Sequence, residues 1–175
     1  ALRDAIAAGN REIRETTDTA PDTEGMGTTV TAVLLHGDQF VVAHVGDSRG
    51  YLLRAGQLRQ LTRDDTFVQA LVDQGGLTPE EARRHPQRAL VTRAVQGGPL
   101  EPAISTLTAE PGDRLLLCSD GLSDVVPDGE IARVLSSRPD RQQCVKELIQ
   151  LARQAGAPDN VTVVVADVAV DASGA

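Results

Sequence analysis

Asp47, Asp120 and Asp159 each stand where an apolar, strand-like run stops: Asp47 after residues 40–46, Asp120 after residues 114–119, and Asp159 just ahead of residues 161–168. A carboxylate at a strand end reaches a cleft while its strand stays anchored in the core. Three such groups can hold hard divalent cations through oxygen. That is the start of a site for metal-assisted phosphoryl transfer.

Each aspartate also has a plainer reading. Asp47 lies between Gly46 and Gly50, in a segment that turns sharply, and an Asp in a hairpin turn is common. Asp120 sits in Cys118-Ser119-Asp120-Gly121-Leu122, where it either ligates a metal or caps the helix that follows. Asp159 and Asn160 suit an Asx turn. A serine hydrolase with Ser48 as nucleophile would need a histidine base. The chain has only His36, His44 and His85, none in an Asp-x-x-His pair downstream, so that chemistry is disfavoured. Arg83, Arg84, His85 and Arg88 form the one dense cationic patch; it reads either as a solvated helix end or as a meeting place for an anionic substrate.

The elements that must position these groups follow from periodicity. Leu2, Ile6, Gly9 and Ile13 recur at helical spacing over residues 1–15, and the polar stretch 16–27 ends that helix. Residues 28–35 and 40–45 predict one antiparallel hairpin; residues 51–54 and 58–61 predict a second around Ala55 and Gly56. Four strands in succession imply an antiparallel sheet. From 66 to 96 the pattern turns helical and polar, with Thr78, Pro79 and Glu81 marking a capped helix start. Strands resume at 104–107 and 114–118. Residues 122–137 and 139–155 predict helices, the second with Val145, Leu148, Leu151 and Ala152 on one face. Residues 161–168 predict the last strand, and 171–175 a disordered tail. Strands with helices segregated between them predict an α+β layered domain, one globular unit over residues 1–170.

The 175-residue chain is 41% apolar, enough for one sizeable core. A formal charge of −8 and a pI near 4.8 disfavour nucleic acid or anionic lipid as partners. Only 2% of residues are aromatic, which leaves no stacking platform for bases. Cys118 and Cys144 are too few for a disulfide framework or zinc ribbon, so reduced, buried thiols are expected. No apolar run is long enough to span a bilayer, and no signal peptide opens the chain. The expectation is a soluble, cytoplasmic monomer.

In order, Gly25-Met26-Gly27-Thr28-Thr29, Val45-Gly46-Asp47-Ser48-Arg49, Leu90-Val91-Thr92-Arg93-Ala94, Gly112-Asp113-Arg114 with Leu117-Cys118-Ser119-Asp120-Gly121, and Asp159-Asn160-Val161-Thr162 resemble the metal-dependent protein phosphatase 2C family, bacterial serine/threonine type. The resemblance implies a sandwich of two antiparallel β-sheets flanked by helices, with Mn2+ or Mg2+, two or three ions in a complete domain. It implies that Asp120 and Asp159 ligate one catalytic metal and that Asp47 with Asp120 serves a third. Residues 66–96 match the flap beside the cleft, which makes Arg83, Arg84 and Arg88 substrate-facing candidates. The implied partners are phosphorylated proteins such as serine/threonine kinases and their substrates. The alternatives are a non-catalytic binding module of the same fold, and a phosphatase acting on an anti-sigma-factor antagonist.

Two segments of the family pattern have no match here: Arg-x-x-Asn-Glu-Asp, and an Asp-Gly-x-Gly-Gly strand end whose Asp bridges both catalytic metals. The expectation is therefore a fragment, lacking N-terminal strands of the sandwich and unable alone to build the bridged pair. The resemblance also implies that a complete protein of this type is membrane-anchored through a C-terminal extension.

Overall fold

The computed structural model describes residues 1–156 and 159–169; the predicted tail at 171–175 lies outside the described residues. In chain order the elements are α1 (Leu2–Thr19), a 3-10 turn (Pro21–Thr23), β1 (Val30–His36), β2 (Gln39–Val45), β3 (Arg49–Arg54), β4 (Gln57–Gln60), α2 (Phe67–Asp73), α3 (Pro79–Arg84), β5 (Ala103–Thr108), β6 (Arg114–Cys118), α4 (Asp120–Ser123), α5 (Asp128–Ser137), α6 (Arg141–Gln154) and β7 (Val163–Asp167). The strands form two sheets, ordered β1-β2-β5 and β4-β3-β6-β7. This is the expected α+β class with two antiparallel sheets and helices.

The four consecutive strands β1 to β4 do not make one sheet. The first hairpin belongs to the three-stranded sheet and the second to the four-stranded one. The break falls at Gly46, whose φ of 106° turns the chain between β2 and β3 in a conformation other residues avoid.

By contacts the chain divides into two compact units. One comprises Ala1–Leu34, Val41–Ser48 and Arg63–Thr106. Here Ile6 of α1 is buried with Ala43, Val45 and Val95, and Leu2 and Ile13 pack against them. The helix runs past the predicted end at residue 15 to Thr19. Thr16 and Thr19 donate their hydroxyls back to the carbonyls of Glu12 and Glu15, both at 2.8 Å, so these polar residues extend the helix rather than break it. Pro21 ends it by forcing Ala20 into extended backbone (φ −127°, ψ 91°). α3 begins as its sequence predicts: Thr78 Oγ1 accepts from Glu81 N at 3.2 Å while Thr78 N donates to Glu81 Oε2 at 2.8 Å.

The other unit comprises Leu35–Phe40, Arg49–Thr62 and Leu107–Ala175. Its sheet is antiparallel throughout, with Tyr51 opposite Leu116 and Leu116 opposite Val165. Alternate residues Tyr51, Leu53, Leu116 and Cys118 face Leu122, Val126, Ile131, Val134, Leu135, Cys144, Leu148 and Ala152 of the helices. Cys118 and Cys144 are both buried thiols, as expected. Cys144 rather than Val145 joins the buried face of α6, because Cys144, Leu148 and Ala152 recur at four-residue spacing along one stripe of the helix. The helix expected over 122–137 is two helices. Pro127 has no N–H to continue α4 and disfavours helical backbone at the residue before it; it starts α5 instead. Arg114 anchors the end of α5: it pairs with Asp167 at 2.6 Å and donates to the carbonyls of Leu135 and Pro139. No described helix is long and apolar enough to cross a membrane.

Candidate metal centre

β6 ends at Cys118, and Ser119 and Asp120 follow at once, so the strand sets where Asp120 emerges. Asp120 is the first residue of α4 and is half-buried; its Oδ1 accepts from Gly121 N at 2.8 Å. Asp159 is exposed, and its Oδ1 accepts from Asn160 N at 2.6 Å. Each carboxylate thus uses one oxygen locally. Oδ2 of each accepts no hydrogen bond among the described residues.

The two turns are in contact. Ser119 N donates to Thr162 O at 3.1 Å, Thr162 N donates to Ser119 Oγ at 3.0 Å, and Ser119 Oγ donates to Asn160 O at 3.2 Å. Gly121 makes the approach possible: a Cβ there would stand 3.0 Å from the Asn160 carbonyl carbon and overlap its oxygen. The three ladder-like bonds extend the β6–β7 pairing past the strand ends and carry Asp120 and Asp159 on neighbouring turns.

Asp47 belongs to the other unit and is half-buried. Gly46 before it is held tightly. A Cβ on Gly46 would come 2.5 Å from Thr29 Cβ, Gly46 N donates to Asp65 Oδ2 at 3.0 Å, and Asp65 N donates to Gly46 O at 2.7 Å. Ser48 after it is held by Thr29, whose hydroxyl lies 2.8 Å from Ser48 Oγ, and by Thr31, whose hydroxyl donates to Ser48 O at 2.9 Å. With its one proton so placed, Thr31 Oγ1 accepts from Nδ1 of buried His44 at 2.9 Å, which puts the imidazole proton on Nδ1. Burial lowers the His44 pKa below the usual imidazole range, against the opposing pull of Asp65 and Asp64.

Arg83 and Arg84 lie in the last turn of α3 and Arg88 in the turn beyond it, all exposed. They share a unit with Asp47. The excursion that carries them closes at its base, where Thr66 bridges to Val91 and Phe67 N donates to Leu90 O at 2.9 Å.

Among the described residues no group of three or more His, Cys, Asp or Glu side chains is arranged to hold a metal. Asp120 and Asp159 do fit a hard cation of the Mg2+ or Mn2+ kind, which takes one or two carboxylates and completes its shell with water. Buried Asp65 was missed from sequence, because its partner Gly46 is near only in space.

Residues 1–165 match the model of the family Protein phosphatase 2C. Over 164 residues the chain is 55% identical to the serine/threonine protein phosphatase PstP of Mycobacterium tuberculosis, which covers 94% of this chain and 32% of PstP. It is 38% identical over 167 residues to the serine/threonine phosphatase stp of Listeria monocytogenes, covering 95% of this chain and 66% of that protein. The crystal structure of M. tuberculosis PstP/Ppp superimposes with a TM-score of 0.93 at 53% identity, over 97% of this chain and 72% of that one. The catalytic domain of PstP in complex with two manganese ions gives 0.90 at 51% identity, over 97% and 70%. The chain thus spans from a third to two thirds of the length of these curated relatives.

Proposed function

Because the chain belongs to the Protein phosphatase 2C family of serine/threonine protein phosphatases, we propose that it carries part of the active site of a Mn2+- or Mg2+-dependent enzyme. In this reading the enzyme removes phosphate from phosphoserine and phosphothreonine in kinases and their substrates. The observation that supports it most is the contact between the turns of Asp120 and Asp159, built from Ser119, Gly121, Asn160 and Thr162.

Asp120 and Asp159 would hold one cation, and Asp47 would serve another. A cation bound there acidifies water and offsets phosphoryl charge. The chain's own part is to keep the two turns in register, which the Ser119 bonds do. Arg83, Arg84 and Arg88 would meet the phosphoprotein by charge. The manganese seen in a PstP structure supports the metal class. The same reading makes this segment a cytoplasmic monomer, with a membrane anchor in a C-terminal extension of the complete protein.

A second reading, a phosphoprotein-binding module without turnover, is supported by the exposed Arg83, Arg84 and Arg88, whose charge would meet a phosphate without a metal. Hydrolysis of p-nitrophenyl phosphate and of a phosphothreonine peptide, with Mn2+, with chelator and with Asp120→Ala, separates the two. Turnover that survives chelator or Asp120→Ala unchanged would refute the metal mechanism. Phosphopeptide binding without turnover would establish the second reading.

A further inference from the structure

Asp47 is preceded by a glycine, the residue least able to hold a direction by itself. Something else must fix the peptide that aims it. We propose that Asp65 is a positioning residue for Asp47, gripping both sides of the Gly46 peptide and tying it to the base of the 66–91 excursion.

The grip is reciprocal: Gly46 N donates to Asp65 Oδ2 at 3.0 Å, and Asp65 N donates to Gly46 O at 2.7 Å. The remaining carboxylate oxygen, Oδ1, accepts from Arg93 Nη1 at 3.2 Å, and Arg93 is itself fixed through Nη2 to the Glu101 carbonyl. Asp65 O accepts from Thr92 N at 2.7 Å and from Thr92 Oγ1 at 2.9 Å. Asp65 is 7% exposed, so its charge is held out of water on purpose-built partners. A buried carboxylate paired with an exposed guanidinium is a poor way to gain stability, since taking the charge out of water can cost more than the pairing returns. It is a good way to specify one backbone geometry. Thr29 also packs against Gly46, where it occupies the space a Cβ would need.

The same residue stands at the feet of the excursion. Thr66 bridges to Val91, and Thr92 and Arg93 on the returning chain both bond to Asp65. A displacement of either foot is therefore passed to the Gly46 peptide and on to Asp47. In its consequence for metal this inference rests on the reading of Asp47 as a ligand; in its geometry it does not.

The test uses Asp65→Ala, Asp65→Asn, Asp47→Ala and the Asp65→Ala/Asp47→Ala double variant of the 175-residue chain. NMR follows amide exchange at Gly46 and paramagnetic broadening of the Asp47 and Ser48 amides by Mn2+ alone. Asp65→Ala speeds Gly46 exchange at least about ten-fold, the loss of a charge-assisted bond, while exchange at Leu116 in β6 stays unchanged. It weakens Mn2+ at the Asp47 turn at least about five-fold, and the double variant binds no more weakly than Asp47→Ala, since both act through one side chain.

Asp65→Asn keeps an acceptor oxygen and restores most of the Gly46 protection. It also moves the Gly46 amide proton upfield as charge assistance is lost, a signature that carries the test should Asp65→Ala fail to fold. Unchanged Gly46 exchange in Asp65→Ala, an unmoved Gly46 proton in Asp65→Asn, or additive losses of Mn2+ affinity would overturn the proposal. A wild-type chain with no broadening at Asp47 would instead overturn the metal reading of Asp47, and Gly46 exchange would then decide the positioning role alone.

Discussion

Gly121→Ala adds one methyl group at the contact between the Asp120 and Asp159 turns. The new carbon would stand 3.0 Å from the Asn160 carbonyl carbon and overlap its oxygen. Unbonded carbons settle at about 3.5–4.0 Å and the carbonyl oxygen is nearer still, so one turn must retreat by about 1 Å or more. Overpacking of this kind costs about 1–3 kcal/mol. The retreat also stretches the bonds from Ser119 Oγ to Asn160 O (3.2 Å) and from Thr162 N to Ser119 Oγ (3.0 Å), which adds about 1 kcal/mol. The total is about 2–4 kcal/mol, and at about 2–4 °C per kcal/mol for a chain of this size Tm falls by about 4–16 °C. Metal–carboxylate distances tolerate only about 0.2 Å, so Mn2+ affinity measured by calorimetric titration at a temperature where the variant is folded should fall at least about ten-fold. Gly9→Ala is the control. Gly9 lies inside α1 with nothing within 4 Å of where a Cβ would stand, so alanine there should raise stability by about 0.5–1 kcal/mol and leave Mn2+ binding alone. A Gly121→Ala protein that melts with the wild type and binds Mn2+ equally well would refute the claim that this contact aligns the two aspartates.

Three further outcomes follow from the same structure. Ala55 sits at φ 49° in the two-residue β3–β4 turn, where a left-handed backbone favours Asn, so Ala55→Asn should stabilise by about 0.5–1 kcal/mol in urea unfolding. Asp113 is buried against Arg54 at 2.6 Å, and that pairing holds its carboxyl below the usual carboxylate range. Its contribution is therefore present above the unfolded pKa of about 4 and lost as pH falls through the lower folded value; Asp113→Asn should cost about 2 kcal/mol at pH 7 and flatten the acid limb below pH 4. Burial likewise depresses His44, so its stabilisation is present above about pH 6.5 and lost as pH falls below that, when the unfolded chain takes up the proton first. Melting His44→Gln from pH 7 to 5 should show a shallower decline than the wild type, and an unchanged slope would refute that origin.

What could be seen in advance was local. The Thr78–Glu81 cap, both hairpins and the placing of Asp47 and Asp120 at strand ends depend on residues close in sequence and are where the pattern put them, whereas β7 begins at Val163 rather than 161 and leaves Asp159 in the turn before it. The break at Pro127 was equally local and equally visible, but the apolar spacing of residues 122–135 masked it. The extension of α1 was hidden because Thr16 and Thr19 read as helix breakers until their hydroxyls find carbonyls one turn back.

The assignment of β1–β2 and β3–β4 to different sheets was not visible, because alternation tells which face of a strand is buried and nothing about which sheet receives it. That choice is made at Gly46, and Gly46 is fixed by partners 17 to 19 residues away: Thr29 on one side and Asp65 on the other. Such partners are set by the fold they help to specify. The site divides along the same line. Asp120 and Asp159 follow from the two strands that carry them, β6 and β7, whose pairing runs on through Ser119 and Thr162. Asp47 follows from no strand alone: its direction depends on a glycine, a hydroxyl pair and a buried carboxylate, Asp65, that meet only in three dimensions. Substitutions that disturb Asp120 should therefore be predictable from the sheet, and those that disturb Asp47 only from the Asp65 grip.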